Sequence, residues 1–280
     1  MKTAIPSGIG RTAMYMSLIR HRESGRPDAL FRDPFAEVVT TRLAGTPELA
    51  ELATGLGADI PSLARRLDGA EFAYFPVRTR FFDDHLDSAL RGGVRQIVTL
   101  AAGLDGRPVR LDCPPGTHWY ELDLPAMTAF KNDLLAESGL PATCTRHGVA
   151  ADLTADWRAP LLAAGFDPAQ RTAWLLEGLL MYLPGEVGDE LIGSVTALSA
   201  PGGELLLEHM ATATLAAAGT IRDAVESQGT TFLSARDDLA GWLGGHGWSA
   251  EVHAGSDPAI GHGRAVSTSP AGWLGHAVLP

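Results

Sequence analysis

The sequence predicts an α/β fold: an open, mostly parallel sheet with helices on both faces, preceded by a helical cap. Three observations carry this. The first ninety or so residues show the apolar spacing of helices. From Arg95 onward, short apolar runs alternate with helical stretches, the rhythm of a parallel sheet covered on both sides. The first of those runs ends in a small-residue turn, Ala101-Ala102-Gly103, placed where such sheets bind ligands, beyond the carboxyl ends of their strands. The reading gives a cap over residues 1–92 and one compact α/β unit over residues 93–280.

In the cap, Asp33-Pro34 opens the segment DPFAEVVTTRLAG, where Phe35, Val38, Val39 and Leu43 recur at helical spacing. Asp33 suits the N-cap and Pro34 the first turn. A second helix runs from Phe72 to Arg91, with Phe75, Phe82, Leu86 and Leu90 on one face and Gly92-Gly93 as its stop. The strand candidates are QIVTLAAG, HWYELD, TAWLLEG and GGELLLEHM, with WSAEVH and GRAVSTS as weaker ones. Helical stretches lie between them at about 125–138, 185–199 and 211–228.

Composition narrows the function classes. The chain has 280 residues, 45% hydrophobic and 20% charged, which suits a folded enzyme-sized protein and excludes wholesale disorder. A net charge of -11, with no Lys/Arg-rich run, argues against nucleic acid as partner. Cys113 and Cys144 are the only cysteines, too few for a disulfide scaffold or a cysteine zinc cluster, and they suit the cytoplasm. No secretory h-region opens the chain and no apolar run is long enough to span a bilayer, so neither export nor a membrane partner is expected. The histidines, including His21, His85, His118, His147 and His209, lack zinc-site spacing, and no metal is invoked.

Three places carry chemistry. At Ile97–Arg107, IVTLAAGLDGR, small side chains let backbone N–H groups approach a ligand; Ala101, Gly103 and Gly106 form a degenerate A-x-G-x-x-G, which a ligand-free tight turn would also produce. About twenty residues beyond Gly103, Glu121 and Asp123 close the next strand, the separation of an acid that bonds ribose hydroxyls; Asp123, at the very end, is the preferred one. Third come Asp152-Leu153 in VAADLTADW and Glu177 in WLLEGLLMYLP. A carboxylate ending an apolar run needs a partner, which a cationic ligand, a salt bridge or a capping role supplies.

In this order the segments resemble the leucine carboxyl methyltransferase family, including its bacterial and polyketide-tailoring O-methyltransferase branch. The carriers are DPFAE at 33–37, VRTRFFDD at 77–84, VTLAAGLDGRPVRL at 98–111, WYELDLP at 119–125, FK at 130–131, ADLTADW at 151–157 and WLLEGLLMYLP at 174–184. The resemblance implies a class I methyltransferase-like (Rossmann-like) seven-stranded sheet and S-adenosyl-L-methionine as cofactor. It implies that Arg78 pairs with the donor carboxylate, its planar fork being suited to that group. Ala101, Ala102 and Gly103 would lie beside the methionine moiety, Asp123 would hold the ribose, Asp152 and Leu153 would meet the adenine, and Glu177 would lie near the sulfonium. A surface ion pair with Asp83 or Asp84 is the competing role for Arg78. Gly106 stands where the family more often has Thr, which predicts a looser turn after Asp105.

The function expected is O-methylation of a small metabolite or natural product, at a carboxylate. Such an acceptor is nucleophilic without a base; a phenol or alcohol would be helped by one. His209, ending GGELLLEHM, is the first base candidate, and Tyr182 and Tyr15 are candidates for the acceptor pocket. The Met14 and Met16 pair is expected to pack. Two other readings stand beside this one: a nicotinamide-dependent oxidoreductase, suggested by the A-x-G-x-x-G and the later acid, and a member that binds S-adenosylmethionine without methylating.

Overall fold

The computed structural model describes residues 5–6, 9–216, 220–227, 229–266 and 272–280. Five helices precede the sheet: α1 (Ile9–Ser24), α2 (Pro34–Leu43), α3 (Pro47–Gly55), α4 (Ile60–Leu67) and α5 (Tyr74–Arg91). Asp33 caps α2 as its sequence requires, its side chain accepting the Ala36 amide at 3.0 Å, with Pro34 at the first position. Met14, Leu18, Phe35, Val39, Leu43, Leu52 and Leu63 build a core shared by α1 to α4. That core closes onto Met127, Phe130 and Leu134 of α6 (Pro125–Ser138).

The sheet has seven strands: β1 (Gln96–Leu100), β2 (His118–Asp123), β3 (Thr145–Ala150), β4 (Thr172–Leu176), β5 (Glu204–Met210), β6 (Ser249–Ala254) and β7 (Gly272–Val278). Their order is β3-β2-β1-β4-β5-β7-β6, with the first five parallel and β7 antiparallel to both neighbours. The order reverses between β1 and β4, and the crevice outside their carboxyl ends is where an open α/β sheet receives a ligand.

Alternation along the strands divides the core in two. Val98, Leu100, Trp174, Leu176, Leu205 and Leu207 face α7 (Arg158–Ala163), α8 (Gly185–Ala197) and α11 (Leu239–Gly245). Ile97, Trp119, Ala173, Leu175, Leu206 and Leu274 face α5, through Val77, Phe81, Phe82, Leu86 and Leu90. Helix α5 is therefore at once the last helix before the sheet and part of the layer that covers it.

Three segments stand apart from the elements read in the sequence. The strand β3, TRHGVA, was absent from the apolar runs because it is an edge strand with mostly polar, partly exposed residues. Of GRAVSTS, residues 263–266 are turn or irregular and 267–269 lie outside the described residues, while β7 begins at Gly272. In the helical stretch expected at 211–228, the described residues form α9 (Thr212–Ala216) and α10 (Thr220–Glu226), and residues 217–219 and 228 lie outside the described residues. Among the described residues no helix is long and apolar enough to cross a membrane.

Candidate active site

All five residues of β1 are buried, and the strand delivers the chain into a sharp turn at the crevice. Ala101 takes φ +54° and Gly103 φ +48°. A left-handed alanine costs on the order of 1 kcal/mol, so its neighbours must hold it. They do: the Ala102 amide donates to the Leu122 carbonyl at 3.0 Å, and the Gly103 amide donates to Asp123 Oδ2 at 2.6 Å. A Cβ on Gly103 would stand 3.0 Å from the Ala13 methyl of α1, so the turn is roofed by the helical layer.

The other Asp123 oxygen, Oδ1, accepts the Leu124 amide at 2.7 Å. Each oxygen thus takes one backbone donor and keeps lone-pair capacity for another. Burial pushes the Asp123 carboxyl above the usual carboxylate range, against the two amide bonds that favour its charged form. Glu121, two residues earlier on the same face, is consumed by Lys131 at 2.6 Å and by Arg146. The preference for Asp123 as the acid at the crevice therefore has a structural counterpart: Glu121 is spent beneath it.

Arg78 and Glu177, separated by ninety-nine positions, meet directly: Arg78 Nε donates to Glu177 Oε1 at 3.0 Å. Arg78 is 5% exposed, so the surface ion pair with Asp83 or Asp84 is not its role. Its Nη1 donates to Glu208 Oε2 at 2.8 Å, and its plane stacks over the Phe75 ring. Among the described residues, Nη2 donates to the Met16 sulfur of α1, at 3.4 Å. Burial works against the guanidinium charge, but Glu208 and Glu177 overcome it and raise its pKa.

Glu177 has its partners within the chain, so a salt bridge and not a ligand cation accounts for its burial. Its second oxygen accepts Arg107 Nη1 at 2.6 Å. Arg107 in turn pairs with Asp83 at 2.7 Å and Asp105 at 3.0 Å, and Arg110 closes on Asp83. Burial raises the Glu177 carboxyl, yet Arg107 and Arg78 together hold it below its ordinary value. Counted as charged, Glu208, Glu177, Asp105 and Asp83 face three arginines, leaving this buried chain of ion pairs one negative charge in excess.

Glu208 and Arg107 were missed by the sequence reading. The signal for Glu208 was present, since GGELLLEHM also carries an acid through an apolar run. The turn after Asp105 is not looser for having Gly106. A Cβ there would lie 2.3 Å from Asp33 Oδ1, so the glycine makes room for the capping carboxylate of α2, which is itself held by Arg20 at 2.8 Å.

The remaining candidates are dispersed. Asp152, after the edge strand β3, is exposed and accepts the Thr154 amide at 2.9 Å. Leu153 and Ala101 pack against the same apolar core. Tyr15 is buried among the helices, its hydroxyl donating to the Leu52 carbonyl at 3.0 Å. His209 alternates with Glu208 on β5 and so faces the opposite side of the sheet, near Trp242; its Nδ1 accepts the Met210 amide at 3.0 Å. Burial and Arg236 push its pKa down to about 4. Tyr182 lies within the electrostatic reach of Glu208 and Arg78, bonds Thr12 of α1, and meets the Phe232 ring at 5.3 Å between centroids, tilted by 46°; burial raises its phenol well above the usual value. Met14 is fully buried, whereas Met16 reaches Arg78.

The strand order and the crevice turn define the class I methyltransferase fold. A methyltransferase structure from Thermobifida fusca YX aligns over 82% of this chain and 93% of its own, with a TM-score of 0.57 at 17% identity. A DUF574 family protein from Streptomyces avermitilis aligns over 82% and 96%, with a TM-score of 0.58 at 15% identity. Residues 13–196 match the leucine carboxyl methyltransferase family, and the chain belongs to that family. It is 42% identical over 252 residues, 86% of this chain and 77% of the relative, to a protein of Parafrankia sp. (strain EAN1pec). It is 41% identical over 273 residues, 94% and 87% of the two chains, to one of Mycobacterium bovis (strain BCG / Pasteur 1173P2). Both relatives are named as S-adenosyl-L-methionine-dependent methyltransferases. The chain is accordingly a methyltransferase.

Proposed function

We propose that this methyltransferase transfers the methyl group of S-adenosylmethionine to an oxygen of a small acceptor, a carboxylate. The observation that carries the donor half is Arg78 Nη2. Among the described residues its acceptor is a thioether, a weak one, whereas the guanidinium's other two nitrogens have carboxylates. A buried charged donor so placed calls for a stronger acceptor, and the donor's carboxylate is one. Asp123, with capacity left on both oxygens, suits ribose hydroxyls, and Asp152-Leu153 at the neighbouring strand end suits the adenine.

S-adenosylmethionine supplies a methyl group already activated on a sulfonium. The chain's residues have then to bind, orient and exclude water. Arg78 and Asp123 fix two ends of the donor, the Ala101–Gly103 backbone lies between them, and the excess negative charge of the ion-pair chain favours a cation above it. The acceptor oxygen forms a bond to the methyl carbon as the carbon–sulfur bond breaks, its electron pair staying on sulfur; a carboxylate acceptor releases no proton. The placement of the two base candidates favours that acceptor. His209 is on the far face with one nitrogen engaged, and the Tyr182 phenol holds its proton at neutral pH. Tyr182 is accordingly assigned to lining the acceptor side.

Calorimetric titration with S-adenosylhomocysteine and with a nicotinamide dinucleotide separates the donor classes: saturable binding of the first alone is expected. Methyl transfer assayed on carboxylate and phenol acceptors tests the other half. A kcat independent of pH from about 6 to 9 is expected for the carboxylate. Methylation of phenols only, with a rate rising through a basic limb, would overturn the acceptor assignment.

A further inference from the structure

Glu208 collects more donors than any role so far requires. Oε1 accepts the Tyr74 hydroxyl at 2.7 Å; Oε2 accepts Arg78 Nη1 at 2.8 Å and the Gly178 amide at 2.9 Å. These donors come from α5 and from the loop after β4, so one carboxylate at the end of β5 ties together the elements that frame the crevice. The Tyr74 phenol, raised well above its usual range by burial and by Glu208, keeps its proton and donates.

The seat for Tyr74 is itself built. A Cβ on Gly255 would lie 2.2 Å from Tyr74 Cε2, and one on Gly272 would lie 2.7 Å from its hydroxyl oxygen. Both positions need glycine for the ring to pass, although neither backbone is left-handed. The two glycines are bonded to each other, the Gly255 amide donating to the Gly272 carbonyl at 2.7 Å, where β6 ends and β7 begins. A slot in the C-terminal strands thus receives an α5 tyrosine whose hydroxyl orients the acid on Arg78.

We infer that Tyr74 and Glu208, seated by Gly255 and Gly272, are positioning residues that hold Arg78 so that its Nη2 faces the donor's carboxylate. The inference rests on the donor reading above. Glu208 engages Nη1 and Glu177 engages Nε, so the guanidinium is fixed on two edges and only the third is presented. Arg is suited to this because its fork is planar, and fixing two nitrogens orients the remaining one.

The test compares two ligands that differ in the carboxylate. S-adenosylhomocysteine carries it; 5′-methylthioadenosine does not. In Tyr74→Phe, the Kd for S-adenosylhomocysteine should rise about tenfold, while that for methylthioadenosine stays within about twofold of wild type. Glu208→Gln should show the same split with a larger rise, and it keeps the test open if the tyrosine variant fails to fold. Equal weakening of both ligands would overturn the inference, since it would make the pair a support of the whole site. Unchanged affinity for both would overturn it too. A wild-type protein that binds neither ligand would instead sink the donor reading.

Discussion

Asp123 Oδ2 accepts the Gly103 amide at 2.6 Å, joining the ends of β1 and β2 across the mouth of the crevice. One carboxylate thereby shapes the turn that lies beside it while retaining the lone pairs a ribose would use. Asp123→Ala should weaken S-adenosylhomocysteine binding tenfold or more, and should lower stability by about 1–2 kcal/mol because the Gly103 and Leu124 amides lose their acceptor. Calorimetry and urea unfolding read the two effects separately. Unchanged affinity would remove Asp123 from the site.

Glu177 stands between Arg78 and Arg107, and its removal leaves both guanidiniums short of a partner in a buried setting. Glu177→Ala should cost about 3–5 kcal/mol in denaturant unfolding, a loss typical of breaking a buried pair from one side. A loss below 1 kcal/mol would show that Asp83, Asp105 and Glu208 suffice to hold the two arginines.

Gly106→Thr introduces the residue that the family resemblance leads one to expect at this position, and it should nevertheless destabilise this chain. The new Cβ displaces Asp33, breaking the α2 cap and the pair with Arg20. A cost of about 2–4 kcal/mol is expected. In an Asp33→Gly background the same change should cost far less, a coupling that a double-mutant cycle measures directly.

Two histidines set an acid limit. His85, by burial and its stacked neighbour His276, and His209, by burial and Arg236, have their pKa values pushed from 6.5 down to about 4. The unfolded chain therefore takes up protons between those values that the folded chain refuses. The stabilisation is complete above pH 6.5 and is lost progressively down to about pH 4. The unfolding midpoint should fall over that interval, and His85→Gln or His209→Gln should flatten part of the fall. An identical slope in both variants would exclude these two groups as its source.

Legibility in the sequence followed the physics of each element. The α2 cap, the α5 face, β1, β2, β4 and β5 were readable because their apolar periodicity is set by burial on one or both sides. The edge strand β3 and the glycine-bearing β7 were not, since an edge need not be apolar and β7 gives positions to Gly272 and Gly275 for close approach. At the site, local patterns marked Asp123 and Glu177, and the family resemblance marked Arg78. The connections of Arg78 and Glu177 were invisible, because Glu208 and Arg107 meet them across the fold and spacing in sequence says nothing of that distance.

The glycine slot also sets an order in time. Gly272, which completes the seat for Tyr74, is made nearly two hundred residues after Arg78. At ordinary elongation rates that gap lasts about ten to forty seconds. Until that gap closes, a nascent chain carries Arg78 without the completed seat for Tyr74, so chains terminated before Gly272 should lack the orientation that seat gives the arginine.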